Sequence, residues 1–407
     1  MLDQSRSRSL RETDALLLRV LTLASLFPDA SRPTFGPFVE KQTLGLAAHP
    51  EVELRVVSPI GVPPWPLSRH ANYQGFDEVP RYEEWKGVPV YRPRFLHIPG
   101  LKGRFDAGAM AQAVLPLLKD IRADFPFDVI DAEFFFPDGP AAIRFGEVFG
   151  LPVSIKARGA DIQYWGVAGP TARQVVEAGR KAGGLLAVAS ALKQDMINIG
   201  IPGEKIRVHY TGVDLSLFKA GERAGAKAEL GVRGPLVVSV GALIPRKRQA
   251  LTMEAVARLD GVTLALIGKG EDEAMLRDLA ARLGIADRVR ILGALPHPVI
   301  ARWLAAADVM CLPSKSEGLA NAWVEALACG TPIVSTDVGG ARELVDRAEA
   351  GHIVEAEVGA VSAAIADLIT HPRDPLAVRA TAERFTWEAN RDALFAHLSG
   401  LVTSGVA

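Results

Sequence analysis

The sequence predicts an α/β protein made of two doubly wound domains, and two observations lead to this fold class. The chain has 407 residues, whereas a single hydrophobic core rarely grows beyond about 250–300 residues. Short apolar segments alternate with helical segments in both halves of the chain, a pattern typical of parallel sheets covered by helices on both faces. We therefore expect two Rossmann-like domains that face a central cleft.

The apolar segments of the first half predict the strands of the first domain. They follow a polar start at residues 5–9, which we expect to be disordered. We expect a helix over residues 35–49, and a break after the second strand over residues 59–66 because of its prolines. The predicted strands span residues 16–26, 52–58, 128–132, 153–157 and 184–189.

The second half repeats this alternation and predicts the second domain. Its predicted strands span residues 235–241, 262–268, 289–292, 309–312 and 332–335. Its predicted helices span residues 249–259, 273–283, 299–306 and 321–329. We assign residues 1–213 to the first domain and 214–386 to the second, and we expect a helix from about residue 387 to 407 to cross back to the first.

Charge and composition narrow the class of protein. The net charge is −1 and the pI about 6.7, which argues against nucleic-acid binding because such proteins carry a basic excess. Cys311 and Cys329 have apolar neighbours and are typical of reduced core residues. The apolar run 15–27 contains Arg19 and is shorter than the ~20 residues of a membrane span. We expect a cytoplasmic protein without a signal peptide, and peripheral contact with the inner membrane stays open.

Residues 313–335 carry the strongest indication of a site. A predicted strand ends at Leu312, a polar loop with Glu317 follows, and a short helix then begins with Asn321 as its predicted cap. The loop and the helix start leave backbone N–H groups without partners, and the helix dipole adds positive potential there. This arrangement suits an anion such as a diphosphate. Glu317 and Glu325 stand on either side of it, and their oxygens can accept hydrogen bonds from a sugar ring and a ribose.

The flanks of these two glutamates resemble those of family 4 retaining glycosyltransferases of the GT-B fold. The similar residues are Ser316-Glu317-Gly318, Glu325-Ala326 and Cys329-Gly330-Thr331-Pro332-Ile333-Val334. The resemblance covers most of the chain and implies that a nucleotide-sugar donor binds to the second domain. It implies Glu325 on the ribose, the helix start at Asn321 on the diphosphate, and on the sugar Glu317 with the backbone of Gly318, Leu319 and Ala320.

Residues 240–247 resemble the donor-phosphate loop of the same family. The family often has a basic residue directly after the glycine, whereas here Ala242 follows Gly241. Lys247 is therefore the residue that we expect to reach the diphosphate as a point charge. Arg246 either replaces the missing charge or belongs to a solvated basic turn.

Two further segments resemble donor-binding turns of the family. Gly268 lies in a turn after a strand, where glycine lets the backbone approach a ligand closely. Leu295 lies in the loop whose main chain contacts the nucleobase in the family. Each segment also fits an ordinary turn or strand-to-helix loop.

The first domain resembles the acceptor side of the family but departs from it at two positions. Phe35 and Gly36 lie in the glycine-bearing first loop, which in the family lies near the donor phosphate and the acceptor. Glu133 stands where many relatives carry a histidine. Arg158 replaces the histidine of a His-Gly-x-Asp segment that ends here at Asp161.

These replacements leave the acceptor-side chemistry open. Glu133 either accepts the acceptor proton, orients the acceptor hydroxyl, or forms only a buried ion pair. Arg158 is always charged and cannot be a general base, but it can pair with Glu133, with Asp161 or with a donor phosphate. Together with Glu317, these three residues are the predicted catalytic groups.

We expect neither a metal ion nor another cofactor. The sequence has no Asp-x-Asp motif, and its acidic run at residues 271–273 opens a predicted helix, where negative charge is favourable in any case. The resemblance implies that helix dipoles and basic side chains act in place of a cation.

Residues 92–105 interleave basic and apolar side chains in the first domain. They either contact anionic lipid or a lipid-diphosphate acceptor, or they form an exposed loop of ordinary charge.

The resemblance implies an enzyme, a hexosyltransferase that uses a UDP- or GDP-linked sugar. The implied acceptor is a glycan or a lipid-linked molecule in polysaccharide or glycolipid synthesis. Two alternatives stay open: a nucleotide-sugar epimerase of similar fold, and a nucleotide-sugar-binding protein that has lost catalysis. The nucleobase, the sugar and the oligomeric state are also open.

Overall fold

The structure is a computed structural model that describes residues 17–33, 35–70, 73, 75–76 and 78–404. The start at residues 5–9, for which we expect disorder, lies outside these ranges, as do residue 16 of the first predicted strand and residue 34 of the first loop.

The described chain forms two compact units. The first contains the residues up to Val188, Leu192–Tyr210 and the helix that starts at Trp387. The second contains Ala189–Ala191 and Thr211–Thr386.

Parallel strands build the first unit. Its strands are β1 (Leu18–Leu23), β2 (Val52–Val57), β3 (Ile60–Val62), β4 (Tyr82–Trp85), β5 (Val88–Tyr91), β6 (Arg94–Leu96), β7 (Val129–Ala132), β8 (Val153–Ala157), β9 (Gly184–Ala187) and β10 (Ile206–Val208). Within the described ranges, one sheet has the order β10-β9-β8-β7-β1-β2-β5-β4, and only its β4–β5 pair is antiparallel. β7, β8 and β9 are buried at every position, as expected of strands covered on both faces.

The helices of the first half follow these strands. They are α1 (Pro37–Ala47), α2 (Asp106–Asp124), α3 (Asp138–Phe149), α4 (Ala160–Gln163), α5 (Gly169–Lys181) and α6 (Ser190–Asn198). The order of the sheet reverses between β1 and β7, so the loops that leave these two strands diverge and open a site at their carboxyl ends.

The predicted break after the second strand is confirmed, since β2 ends at Val57, but two segments without a predicted strand each contain a short one. Residues 59–66 contain β3 and residues 92–105 contain β6, because the two strands pair with each other through Gly61 and Phe95. Arg92 is a core residue: its guanidinium donates to the Glu83 carboxylate at 2.7 Å and to the carbonyl of Pro28 at 2.6 Å.

The second unit holds a smaller parallel sheet. Its strands are β11 (Leu236–Val240), β12 (Thr263–Ile267), β13 (Val289–Ile291), β14 (Val309–Leu312), β15 (Ile333–Ser335) and β16 (Gly351–Ile353). In the described part of the chain their order is β13-β12-β11-β14-β15-β16. The five predicted strands of this half are confirmed, and the order reverses between β11 and β14.

Helices connect these strands, and a last helix returns to the first unit. They are α7 (Arg223–Glu229), α8 (Gln249–Ala257), α9 (Glu273–Arg282), α10 (His297–Ala306), α11 (Asn321–Ala328), α12 (Ala341–Leu344), α13 (Val358–Thr370), α14 (Pro375–Ala380) and α15 (Trp387–Ser404). Leu394 and Leu398 of α15 share one hydrophobic cluster with Leu54, Val129 and Leu186 of the first sheet.

Both cysteines lie in the core of the second unit. Cys311 and Cys329 are buried and form no disulfide, and burial raises the pKa of each thiol to about 12. The helices in the described ranges include none that combines the length and the apolar character needed to span a bilayer.

The packing of α15 on the first sheet depends on a glycine. A Cβ added to Gly184 would lie 2.6 Å from Cε1 of His397. We expect Gly184→Ala to lower the thermal midpoint by several degrees, because overpacking costs about 1–3 kcal/mol. We expect His397→Ala to reverse part of this loss in the double variant, as measured by thermal unfolding.

Gly183→Ala is the matched control, because an added Cβ there meets neighbours only at ordinary contact distances of 3.5 Å and more. Strictly additive effects of Gly184→Ala and His397→Ala would contradict this account of the contact.

Candidate active site

The strand-order reversal of the second sheet brings two predicted segments together. The loop after β11 continues into a 3₁₀ turn at Pro245–Lys247, and the loop after β14 runs over residues 313–320. The amide of Lys315 donates to the carbonyl of Arg246 at 2.7 Å. The two loops are therefore joined through their backbones at the carboxyl edge of the sheet.

Glu317 is the centre of an ion-pair cluster in these loops. Lys247 Nζ donates to Glu317 Oε1 at 2.5 Å, and Arg246 lies 3.2 Å from Glu317 Oε2. Arg246 also donates to the carbonyl of Ser316. Lys247 and Glu317 are 13% and 7% exposed. Burial lowers the pKa of Lys247, and the charge of Glu317 works in the opposite direction.

Lys247, which we expect to contact the diphosphate, and Glu317, which we expect to contact the sugar, are therefore in direct contact with each other. A buried charge needs a partner, which explains why they pair.

Close backbone contacts at glycines fix the shape of this edge. Gly268 has φ +149°, and a Cβ added to it would lie 1.9 Å from the carbonyl oxygen of Gly241. Gly339, in the loop after β15, has φ +52°, and an added Cβ would lie 2.4 Å from the carbonyl oxygens of Glu317 and Gly318. Only glycine fits such approaches. Gly339 was not predicted from the sequence, although a Gly-Gly pair in the loop after a predicted strand could have indicated it.

The start of α11 differs from its prediction. Ala320 occupies the cap position with φ −73° and ψ 110°, and Asn321 is the first helical residue, so the predicted Asn321 cap is wrong. An Asn caps a helix from the extended position before it, which Ala320 takes here. Within the described residues, no protein oxygen accepts from the amides of residues 318–322. These amides can therefore bind an anion.

Glu325 lies in the second turn of α11 and is buried. His297, the first residue of α10, places Nε2 at 3.7 Å from Glu325 Oε1 and packs edge-on against Phe218. Leu295 lies two residues before His297 in the half-exposed loop after β13. The sequence analysis missed His297, because only the fold brings α10 beside α11.

In the first unit, the loop after β1 leads to the start of α1. Gly36 has φ +62°, and a Cβ added to it would lie 1.9 Å from the carbonyl oxygen of Leu26. Phe35 is half-buried, and the guanidinium of Arg32 lies 4.5 Å from the centre of its ring.

Glu133 follows β7, on the other side of the strand-order reversal, and is almost fully buried. One carboxylate oxygen pairs with Arg158, and the other accepts from the amide of Gln42 in α1. Arg158 Nε also donates to the backbone carbonyl of Glu133 at 2.8 Å. The ammonium of Lys156 donates to Gln42 in turn. Both oxygens of Glu133 therefore have donors from the protein.

Asp161 joins the loops after β7 and β8. Its carboxylate accepts from the amides of Gly159 at 2.7 Å, Arg158 at 3.0 Å and Phe135 at 3.1 Å. The side chain is fully buried. Burial raises its pKa, and these hydrogen bonds work against the increase. Its contacts place Asp161 as a support for the backbone that carries Arg158.

Two buried ionisable residues near Glu133, Asp131 of β7 and Lys156 of β8, were not predicted as site residues. Asp131 lies in register with Thr22 of β1 and Ser154 of β8. Burial raises the pKa of Asp131 to about 8 and lowers that of Lys156 to about 7. A charged residue within an otherwise apolar predicted strand is the sequence signal that could have identified each of them.

The described residues offer no candidate metal site. No group of three or more His, Cys, Asp or Glu side chains within the described ranges is arranged to hold a metal ion.

Two family models match the chain. Residues 54–217 match the model described as Glycosyltransferase Family 4, and residues 223–385 match the model described as Glycosyl transferases group 1.

Curated relatives match over most of the chain. A putative teichuronic acid biosynthesis glycosyltransferase, TuaC of Bacillus subtilis, is 29% identical over 338 residues, which cover 80% of this chain and 83% of the relative. A D-inositol 3-phosphate glycosyltransferase of Kribbella flavida is 31% identical over 310 residues, which cover 68% and 72%.

Solved structures share the fold. HepE of Anabaena in complex with UDP has a TM-score of 0.73 at 19% identity, covering 94% of this chain and 100% of that one. Sucrose-phosphate synthase of Thermosynechococcus elongatus has a TM-score of 0.76 at 19% identity, covering 95% and 100%. These neighbours are GT-B proteins, and the predicted fold class is confirmed.

Asp138, at the start of α3, gives a prediction for pH dependence. Its carboxylate accepts from the amide of Ser25 at 2.9 Å, and burial raises its pKa from 3.8 to about 7. Above pH 3.8 the folded state keeps a proton that the unfolded state loses. The stability from this group is therefore present below that pH and is lost as the pH rises through about 7.

Asp138→Asn cannot titrate, so we expect its thermal midpoint, relative to the native protein, to rise from pH 4 to about pH 7 and to level off above it. The exposed Asp120→Asn is the control and should show no such trend. A constant difference for Asp138→Asn across this range would contradict the shifted pKa.

Proposed function

The chain belongs to glycosyltransferase family 4, and from this premise we propose that it moves a sugar from a UDP- or GDP-linked donor to the hydroxyl of a glycan or lipid-linked acceptor with retention of configuration. One observation carries the proposal. The Lys247–Glu317 pair lies beside the α11 start, where the amides of residues 318–322 have no protein acceptor among the described residues.

The diphosphate of the donor would bind at this place. Lys247 supplies a positive charge from a mostly buried position, where electrostatic interactions are stronger than in water. The amides at the start of α11 supply hydrogen bonds without any rearrangement. Arg246, which is 43% exposed, would add a second charge.

The nucleoside and the sugar would lie on either side of the diphosphate. Glu325 would accept hydrogen bonds from the ribose, and the main chain at Leu295 would contact the nucleobase. Glu317 and the backbone of residues 318–320 would hold the sugar. The structural neighbour HepE was solved with UDP, which supports a nucleoside diphosphate as the ligand class.

The chemical task is to stabilise the leaving diphosphate. Its negative charge grows as the bond to the sugar breaks, and fixed positive groups lower the free energy of that state. Lys247 and the α11 amides provide such groups, so the proposed reaction needs neither a metal ion nor another cofactor. We assign no carboxylate of the second unit the role of a nucleophile, in contrast to the mechanism of retaining glycosidases.

On the acceptor side we propose that Glu133 and Arg158 act as one unit. Both oxygens of Glu133 are engaged by Gln42 and Arg158, which favours orientation of the acceptor over removal of its proton. The two curated relatives are named for teichuronic acid and for inositol 3-phosphate. A polymeric or lipid-linked glycan is our preferred acceptor class, and a lipid-linked acceptor would bring the enzyme to a membrane.

Binding measurements can separate the diphosphate residue from the ribose residue. We expect Lys247→Ala to weaken both UDP and inorganic pyrophosphate by about tenfold or more, because each ligand loses a charge-assisted hydrogen bond. We expect Glu325→Ala to weaken UDP by a similar factor and to leave pyrophosphate unchanged, because pyrophosphate has no ribose. Isothermal titration calorimetry, repeated with GDP, gives these values.

Glu254→Ala, a glutamate of α8 that the proposal does not use, is the control for both ligands. Equal losses of pyrophosphate affinity in the Lys247 and Glu325 variants would contradict the proposed division of roles.

Sugar transfer is the second test. We expect Glu317→Ala to reduce transfer by at least a hundredfold with an unchanged fold, because the loss removes both a contact to the sugar and the partner of Lys247. Nucleotide release from UDP- and GDP-sugars, with glycan and lipid-linked acceptors, is the readout. Full activity of the variant would remove Glu317 from the mechanism, and isomerised donor without any acceptor would identify an epimerase instead.

A further inference from the structure

The first unit exposes an unusual share of the large apolar side chains. Eleven such side chains are exposed in the described ranges, and seven of them fall in residues 63–70, 96–105 and 164–167. Their exposed fractions run from 41% to 73%. The seven are Trp65, Leu67, Leu96, Leu101, Phe105, Tyr164 and Val167.

Contacts between the three segments make them one surface. Val62 of β3 pairs with Leu96 of β6, so the chains that leave these strands start side by side. Gly103 packs so tightly that an added Cβ would lie 2.8 Å from Phe136 and 2.9 Å from Trp165. The loop at residues 96–105 therefore connects the other two segments.

The charges of this surface have one sign. Arg69, Lys102 and Arg104 are exposed in these segments, and residues 63–70, 96–105 and 164–167 contain no Asp or Glu. Asp106, which follows directly, is paired with His97 at 2.9 Å. A protein with a net charge of −1 thus carries a local patch of positive charge among exposed apolar groups.

We propose that this surface, termed the docking face, binds an anionic lipid bilayer. Its apolar side chains would enter the boundary between headgroups and acyl chains, where Trp and Tyr are favoured. Its three cations would lie at the level of the lipid phosphates, each attracted by the negative surface potential. The buried Arg92 and the half-buried Arg94 of the same stretch take no part because they donate to protein carbonyls.

The docking face also adjoins the acceptor-side residues of its own unit. Phe136, which packs on Gly103, follows Glu133 by three residues, and Trp165 follows Arg158 by seven. A lipid-linked acceptor in the bilayer would have its headgroup close to the Glu133–Arg158 pair. In this respect the inference rests on the proposed function, whereas lipid binding itself does not.

Flotation with lipid vesicles tests the docking face. We expect the native protein to bind vesicles of phosphatidylcholine with phosphatidylglycerol, to bind pure phosphatidylcholine weakly, and to dissociate as salt rises from 0.1 to 0.5 M. Because each Lys or Arg contributes roughly a fivefold factor in partitioning, the double variant Lys102→Glu with Arg104→Glu should bind at least about 25-fold more weakly. Trp65→Ser with Leu101→Ser should also lose binding.

Matched controls lie in the second unit. Arg233→Glu with Arg282→Glu changes charge equally at exposed positions, and Leu376→Ser removes an apolar side chain that is 68% exposed. Both should bind like the native protein. Thermal unfolding and UDP binding confirm that each variant is folded.

Three results would overturn the proposal. The native protein could fail to bind anionic vesicles, the two docking-face variants could bind as well as the controls, or sedimentation could show a dimer that these variants dissociate. If the native protein bound vesicles but did not bind UDP, only the proposed donor site would be refuted.

Discussion

The central parallel strands of each unit bring its polar site residues to one edge of the sheet. A parallel sheet buried on both faces holds mostly apolar side chains in its middle, and the few charged residues there, such as Asp131 and Lys156, are buried. The loops at the carboxyl ends are the only positions where several strands deliver side chains to one place. In each unit the strand order reverses once, between β1 and β7 or between β11 and β14. Glu133 and Glu317 each follow one of the strands at these reversals.

The two units compensate their buried charge in different ways. In the second, Glu317 pairs with two cations of a single turn, and the amides of residues 318–322 have no acceptor among the described residues. In the first, compensation spreads from Arg158 through Glu133 and Gln42 to Lys156. The extended network is suited to holding its members in place, because a change at one position leaves another buried charge without its partner.

Local sequence was enough for the central strands, and it placed Glu317 in a loop after a strand and Glu325 in the helix that follows. Runs such as Val309–Leu312 are apolar and short, so their pattern and length indicate buried parallel strands. The edge strands β3, β6 and β16 have three residues each and depend on a neighbour for their conformation, so sequence reasoning missed them. The contacts of Gln42 with Glu133 and Lys156 could not be predicted, since they depend on the position of α1 over the sheet. Asn321 was misplaced by one residue, which is the usual error at a helix end.

The return of α15 to the first sheet has a consequence for synthesis on the ribosome. Domains generally fold in order as they emerge, but here the strands that bury Leu394 and Leu398 are translated long before these residues. The surface around Gly184 and Lys156 stays uncovered until the whole second unit has been made. Nascent chains therefore expose an incomplete first core for most of translation, a period in which chaperones would be expected to bind it.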